Sequence, residues 1–204
     1  MSAHRSTTLH AIVLAGGASR RFGSPKQLVR VDGQSLLQRI IAHTSGLLGS
    51  AVTVVLGAHA AEIAKTLPPG NAGILINRNW QEGIASSIRI AVQRLPGACD
   101  GVMLVLADQP LVVSETLSRL ITAWRRQPRQ IVASRYGSVT GVPAIFPRWC
   151  FGDLTALRGD QGARILLRRY ADNVVRLAHP EAAVDIDYPE DLLDIPTDEK
   201  AAKA

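Results

Sequence analysis

The residues from Gly101 to Ala107, G-V-M-L-V-L-A, form the most continuous apolar run in the chain. A strand with no water-facing side belongs at the centre of a sheet whose two faces are both covered. Crossover helices provide that cover, so the run selects an α/β layer arrangement with a mostly parallel central sheet. It ends in Asp108-Gln109-Pro110, where the proline, lacking an N–H, forces the chain out of the ladder.

The remaining segments fit this frame. Ala11 to Leu14, Ala51 to Leu56, Gly73 to Ile76, Ile131 to Ser134 and Gly141 to Phe146 read as further strands, with late ones at Val174 to Leu177 and Val184 to Ile186. Between them Ser35 caps a helix with Leu36, Leu37, Ile40 and Ile41 inward, ending near Gly46. A short helix over Ala60 to Thr66 stops at Pro68-Pro69, and another carries Ile88, Ala91, Val92 and Leu95. Ser114 is expected to cap a helix burying Leu117, Leu120, Ile121 and Trp124. Two short helices follow, over Trp149 to Leu157 and Ala163 to Tyr170, and Pro189 opens a last helical turn. With no repeat and no linker, one domain over residues 1–204 is expected, with flexible tails at 1–8 and 196–204.

Open α/β sheets bind ligands at the carboxyl ends of their strands. Three segments follow such ends: Leu14 to Lys26, Asp108, and the stretch from Asn77 to Ser87. The first, L-A-G-G-A-S-R-R-F-G-S-P-K, turns through Gly16 and Gly17, where no Cβ keeps a ligand from the backbone amides. Such amides form an anion-binding concavity, and Arg20, Arg21 and Lys26 bring cations to it. A polyphosphate fits better than a merely solvated basic turn.

A carboxylate beside a polyphosphate needs a cation between them, and Mg2+ takes one or two carboxylates plus phosphate oxygens. Asp108 is the first candidate ligand, against a turn cap; either Asp185 or Asp187 in D-I-D-Y-P-E-D is the second, against a solvated cap for the turn at Pro189. Glu190 and Asp191 fit the cap better. Ser86 and Ser87, after Gly83, either cap a helix or hold a base, ribose or phosphate. Trp80 stacks on a ring or, more commonly for its type, is buried; Arg164 holds a second phosphate or packs on the surface. The five histidines lack metal-ligand spacing and receive no role, and no G-x-S-x-G elbow or Cys/His pair stands out.

The net charge of +6 favours anionic partners. With 4% aromatic residues and no dense Lys/Arg block, nucleic acid is not expected. No segment approaches the roughly 20 apolar residues that span a bilayer, and the first apolar run is too short for a signal peptide, so a cytoplasmic location away from membranes is expected. Cys99 and Cys150 suit a reduced compartment as buried structural thiols.

Taken together, L-A-G-G-A-S-R-R-F-G-S-P-K, N-W-Q-E-G-I-A-S-S-I, L-A-D-Q-P-L-V, L-R-G-D-Q-G-A-R and D-I-D-Y-P-E-D-L resemble the molybdenum cofactor nucleotidyltransferases, most closely their cytidylyltransferase branch, from Ile12 to Leu192. The resemblance implies a Rossmann-like three-layer nucleotidyltransferase fold with Mg2+ held by Asp108 and Asp187. It implies catalytic roles for Arg21, Lys26 and Asp108, and nucleotide binding by Leu14, Ala15, Gly16, Gly17, Arg21, Lys26, Gly83, Ser86 and Ser87. The implied reaction moves CMP from CTP to the terminal phosphate of a molybdopterin-type cofactor and releases pyrophosphate. The implied partners are the nucleoside triphosphate, the phosphorylated pterin and a molybdoenzyme apoprotein. L-A-G-G is more typical of guanylyltransferases than L-A-A-G, which leaves GTP open. Val142 stands where the branch usually has histidine, which leaves another phosphorylated acceptor open. A non-catalytic cofactor chaperone is the alternative of a different class. A dinucleotide oxidoreductase is disfavoured, because the loop does not read G-x-G-x-x-G.

Overall fold

The computed structural model describes residues 7–70 and 72–195. The chain enters through β1 (Leu9–Ala15), forms a small hairpin from β2 (Arg30–Val31) and β3 (Gln34–Ser35), and continues through α1 (Leu36–Leu48), β4 (Val52–Leu56), α2 (Ala60–Thr66) and β5 (Gly73–Ile76). It then forms α3 (Ile84–Val92), β6 (Gly101–Leu106), α4 (Ser114–Arg126), β7 (Ile131–Tyr136) and β8 (Val139–Pro147). The last elements are α5 (Phe151–Ala156), α6 (Arg164–Arg169), β9 (Val174–Ala178) and a 3-10 turn from Pro189 to Asp194. Of the expected tails at 1–8 and 196–204, residues 1–6 and 196–204 lie outside the described residues, and Thr8 donates its N–H to Asp100 Oδ2 at 2.9 Å.

A seven-stranded sheet runs in the order β5-β4-β1-β6-β8-β7-β9, with β6 at its centre as its apolar run requires. Only the pairings of β8, with β6 and with β7, are antiparallel. The two-residue period of the strands sorts side chains onto two cores. Ala11, Val13, Met103 and Val105 face α1, α2 and α4, whereas Ile12, Leu14, Val102 and Leu104 face α3, α5 and α6. The result is the three-layer Rossmann-like fold that the sequence implies.

Local chemistry explains the element ends. Ser35 caps α1 with a reciprocal pair of hydrogen bonds: its Oγ accepts from the Gln38 N–H, and the Gln38 side chain accepts from its own N–H. The helix runs past Gly46 to Leu48 and stops at Gly49, whose φ of 60° a side chain would resist. Ser114 is not a cap. It is the first residue of α4, after Val113, and its hydroxyl pairs with His43 Nδ1 at 2.9 Å. Val184 to Ile186 form no strand either. Both neighbours of β6 are already taken by β1 and β8, so the segment can attach only at its end, where the Ile186 N–H donates to the Asp108 carbonyl at 2.9 Å. Cys99 and Cys150 are buried free thiols, and burial pushes Cys150 up to about 12. They pack as small apolar groups.

Candidate active site

The end of β1 is tied down by a residue that the sequence motifs did not single out. Gln27 is buried, and its amide donates to the carbonyls of Ala15 (3.0 Å) and Gly17 (3.1 Å), the two sides of the glycine turn. Ser19 helps close the loop by accepting the Lys26 N–H at 3.2 Å. The same turn packs against the next crossover, where the Ala58 N–H donates to the Gly16 carbonyl at 3.2 Å. A Cβ on Gly57 would lie 2.5 Å from that carbonyl oxygen and 2.6 Å from Trp80 Cβ, so this close approach requires glycine.

Lys26 projects from the loop to the end of β6. Its ammonium lies 2.7 Å from Asp108 Oδ2 and 2.9 Å from Asp187 Oδ1, and donates to the Ile186 carbonyl at 2.8 Å. Burial alone would lower its pKa, but the charge and hydrogen bond of Asp108, followed by those of Asp187, outweigh it and leave the pKa above the usual lysine value. Arg21 stands at the rim, 3.5 Å from Asp187 Oδ2 and above the Tyr188 ring. Asp191 accepts the N–H groups of Asp187 and Tyr188, both at 2.8 Å, which fixes the backbone that presents Asp187 and fits the capping role its position suggests. Asp185 lines neither lobe of the cleft but a neighbouring channel, where burial, then the Asp108 charge, raises its pKa to about 6.

Two carboxylates converging on one cation fit a small hard metal ion. Asp108 Oδ1 is buried and without a hydrogen-bond partner, so Asp108 retains acceptor capacity beyond the lysine. Among the described residues no cluster of three or more His, Cys, Asp or Glu could hold a metal. A metal at this place would therefore have two protein carboxylates, Asp108 and Asp187, with phosphate and water completing its shell, as Mg2+ prefers.

Two connected lobes surround this cluster. One, of about 520 Å3, brings together Leu14, Ala15, Gly17, Arg21, Lys26, Asp108 and Asp187, and adds Arg20, Gln27 and Asp160. The other, of about 460 Å3, holds Gly16, Gly83 and Ser87 with Trp80 and Gln81, and shares Leu14, Gly17, Arg20, Asp108 and Asp160 with the first. Trp80 is half-buried on the wall rather than in the core. Ser87 accepts from Asn77 Nδ2 at 3.0 Å. Ser86 does not join the lobes: it accepts from Asn77 Nδ2 at 2.7 Å, donates to the Gly83 carbonyl at 2.8 Å, and faces a separate surface cavity. Its place is to brace the turn that positions Gly83. Asp160, between the lobes, went unassigned in the sequence. Its signal is the motif L-R-G-D-Q-G-A-R, whose contact with Gly83 is non-local: a Cβ on Gly83 would overlap Asp160 Oδ1 and the Gly159 carbonyl at 2.4 Å. Arg164 lies outside both lobes. His10, His43 and His179 pair with Thr53, Ser114 and Ser134, away from the cluster.

The description "MobA-like NTP transferase domain" matches residues 11–174. The chain is 34% identical over 164 residues to a molybdenum cofactor guanylyltransferase of Sinorhizobium fredii (strain NBRC 101917 / NGR234), covering 76% of this chain and 71% of that protein. It is 35% identical over 128 residues to a 2-C-methyl-D-erythritol 4-phosphate cytidylyltransferase of Thermobifida fusca (strain YX), covering 59% of this chain and 51% of that protein. Against the bifunctional protein GlmU of Alkaliphilus metalliredigens (strain QYMF) the chain spans only 25% of the relative's length. The solved structure of Rv0371c in complex with manganese, from Mycobacterium tuberculosis H37Rv, superposes with a TM-score of 0.69 at 26% identity, covering 98% of each chain.

Proposed function

Because the chain belongs to the MobA-like NTP transferase family and is a nucleotidyltransferase, we propose that it moves CMP from CTP to the terminal phosphate of a molybdopterin-type cofactor. The observation that carries the reading is Lys26 held between Asp108 and Asp187 at the mouth of the glycine loop. The acceptor phosphate is largely dianionic at pH 7, with a second pKa of roughly 6, so its oxygen attacks without a general base. The new bond forms between that oxygen and the α-phosphorus, the bond to the β-phosphate oxygen breaks in line, and pyrophosphate leaves.

The chain's own residues position and neutralise. Arg21 and Lys26 meet the charge that builds on the departing pyrophosphate, and the amides about Gly16 and Gly17 hold the triphosphate in register. Asp108 and Asp187 would hold a divalent ion, Mg2+ in this reading, whose charge polarises the α-phosphate. With such an ion held by Asp108 and Asp187, the Lys26 ammonium would be free to pair with phosphate within the same lobe. Gly83 and Ser87, with Trp80, take the nucleoside.

A second reading uses GTP in place of CTP, favoured by Gly16 and by the guanylyltransferase relative. The test is pyrophosphate release from CTP, GTP, ATP and UTP with molybdopterin-type acceptor, with and without Mg2+. Metal-dependent release with CTP supports the reading; release with GTP alone transfers it to the second, and no release with any nucleotide defeats both.

A further inference from the structure

Away from both lobes, a cavity of about 410 Å3 opens between α6, β9 and the β7–β8 turn. Three of its walls are arginines, Arg164, Arg168 and Arg176, and its hydroxyls are those of Ser138 and Thr140. No carboxylate lines it. Arg164 and Arg168 stand four residues apart on α6, where side chains meet and like charges repel. Neither makes an ion pair or a side-chain hydrogen bond among the described residues, whereas the adjacent Arg169 turns the other way to Asp153 at 3.2 Å. Arg176 is fixed without being neutralised: its guanidinium donates to the carbonyls of Val174 (3.2 Å) and Ala171 (2.9 Å). Three concentrated positive charges with no counter-charge, one of them held in place by backbone, make a receptor for an anion with several oxygens.

The cavity lies next to a channel that adjoins the cleft. Arg164 borders a narrower, largely apolar channel of about 160 Å3, whose wall includes Leu14, Leu106 and Val142, with Gln109 and Asp185 as polar members. Leu14 and Leu106 are shared with the nucleoside lobe. The channel thus adjoins the arginine cavity at Arg164 and the cleft at Leu14 and Leu106, with a mainly apolar wall between.

We propose that the Arg164–Arg168–Arg176 cavity is a second anion site, which binds a distal anionic group of the acceptor while the acceptor's phosphate reacts at the Lys26 cluster. The acceptor is then a molecule with two anionic ends and a less polar middle. The assignment of this anion to the acceptor rests on the nucleotidyl-transfer reading; the existence of the site does not.

Inorganic pyrophosphate in EDTA, followed through the arginine Nε–Hε signals, tests the site itself. In Lys26→Ala, which weakens the loop site, pyrophosphate is expected still to shift the Arg164 and Arg168 signals. In the Arg164→Gln/Arg168→Gln double variant the affinity of that event, read through the remaining Arg176 signal, falls about tenfold or more, the loss expected for charge-assisted bonds. Signals that do not move in Lys26→Ala overturn the site. Steady-state transfer to a phosphorylated pterin then identifies the source: the double variant raises the acceptor KM about tenfold or more without raising the nucleotide KM. An unchanged acceptor KM overturns the assignment to the acceptor even where free pyrophosphate binds. If the wild-type protein transfers nothing from any nucleotide, the transferase reading fails, and the pyrophosphate titration still decides whether the site exists.

Discussion

The lobe around Lys26 is assembled from long charged side chains that meet across large separations in the chain, whereas the lobe around Trp80 and Gly83 is assembled from backbone and buried hydroxyls. In the first, Lys26, Asp108 and Asp187 are joined by two ion pairs, and Arg21 joins them from the exposed rim. In the second, Gly57 lies against Trp80 and Gly16, Gly83 lies against Asp160 and Gly159, and Asn77 holds Ser86 and Ser87. On the proposed reading the first lobe exchanges one cation for another, which needs side chains able to let go. A site that recognises a rigid ring system needs walls that do not yield. Substitutions in the first lobe should therefore cost activity with little stability, and substitutions in the second should cost both.

The largest effect is expected at the charged cluster. Lys26→Ala or Asp108→Ala should lower the rate of pyrophosphate release by about 100- to 1000-fold or more, the loss typical of one preorganised electrostatic group. Circular dichroism should show both variants folded. Lys26→Ala also leaves Asp108 and Asp187 facing each other without their shared ammonium, so Mn2+ or Mg2+ should raise its melting temperature by more than it raises that of the wild type. Wild-type turnover by either variant, or an equal metal response, would dissolve the contrast between the lobes.

Glycines sharpen the comparison at the next scale. Gly57→Ala inserts a methyl group against backbone that cannot rotate away, and should cost about 1–3 kcal/mol of stability. For a chain of this size that is a fall of roughly 2–12 °C in melting temperature. Gly17→Ala meets nothing within 4 Å and should leave stability within about 0.5 kcal/mol. Gly17 nevertheless borders both lobes, so its new methyl group should raise the nucleotide KM. Differential scanning calorimetry paired with nucleotide titration separates the two outcomes, and a destabilised Gly17→Ala would refute the reading of this turn as open to ligand.

The same division governs what the sequence discloses. Apolar runs and helical stripes are set locally, so the strand pattern, the inward face of α1 and the central place of β6 are legible from the chain. The glycine loop, Asp108 and Asp187 carry a recognisable order of residue types; the first two converge because the paired strands β1 and β6 end at one edge, whereas Asp187 arrives on a segment hydrogen-bonded to the end of β6. What escapes is set by competition in three dimensions. Val184 to Ile186 alternate like a strand, yet β6 has no free side to accept them. Ser114 has the composition of a cap, but Val113 precedes the helix and His43 takes the hydroxyl. Gln27 and Asp160 look like ordinary polar loop residues, and only the fold shows that one ties the glycine turn and the other separates the lobes.

The smallest expected effect concerns how the backbone carrying Asp187 is anchored. His179 is fully buried, with Nδ1 3.0 Å from Ser134 Oγ, its N–H donating to the Arg135 carbonyl, and its own carbonyl accepting from Ala182. Gln109, next to Asp108, donates to the Ala182 carbonyl at 2.8 Å, so this turn links the end of β6 to the segment that presents Asp187. Burial first, and the Arg119 charge, lower the His179 pKa against the pull of Glu181. A histidine whose folded pKa lies below its unfolded value of about 6.5 has no effect on stability at higher pH, and destabilises the fold as pH falls below that value, because the unfolded chain takes up the proton first. Melting temperatures between pH 7.5 and 5 should therefore fall more steeply for the wild type than for His179→Gln, by no more than about 1.4 kcal/mol per pH unit. His10 and His43, whose pKa values burial also lowers, contribute equally to both proteins and cancel in the difference. Parallel profiles would show that the anchor beneath the charged lobe does not titrate, and would leave that lobe's pH response to its own carboxylates.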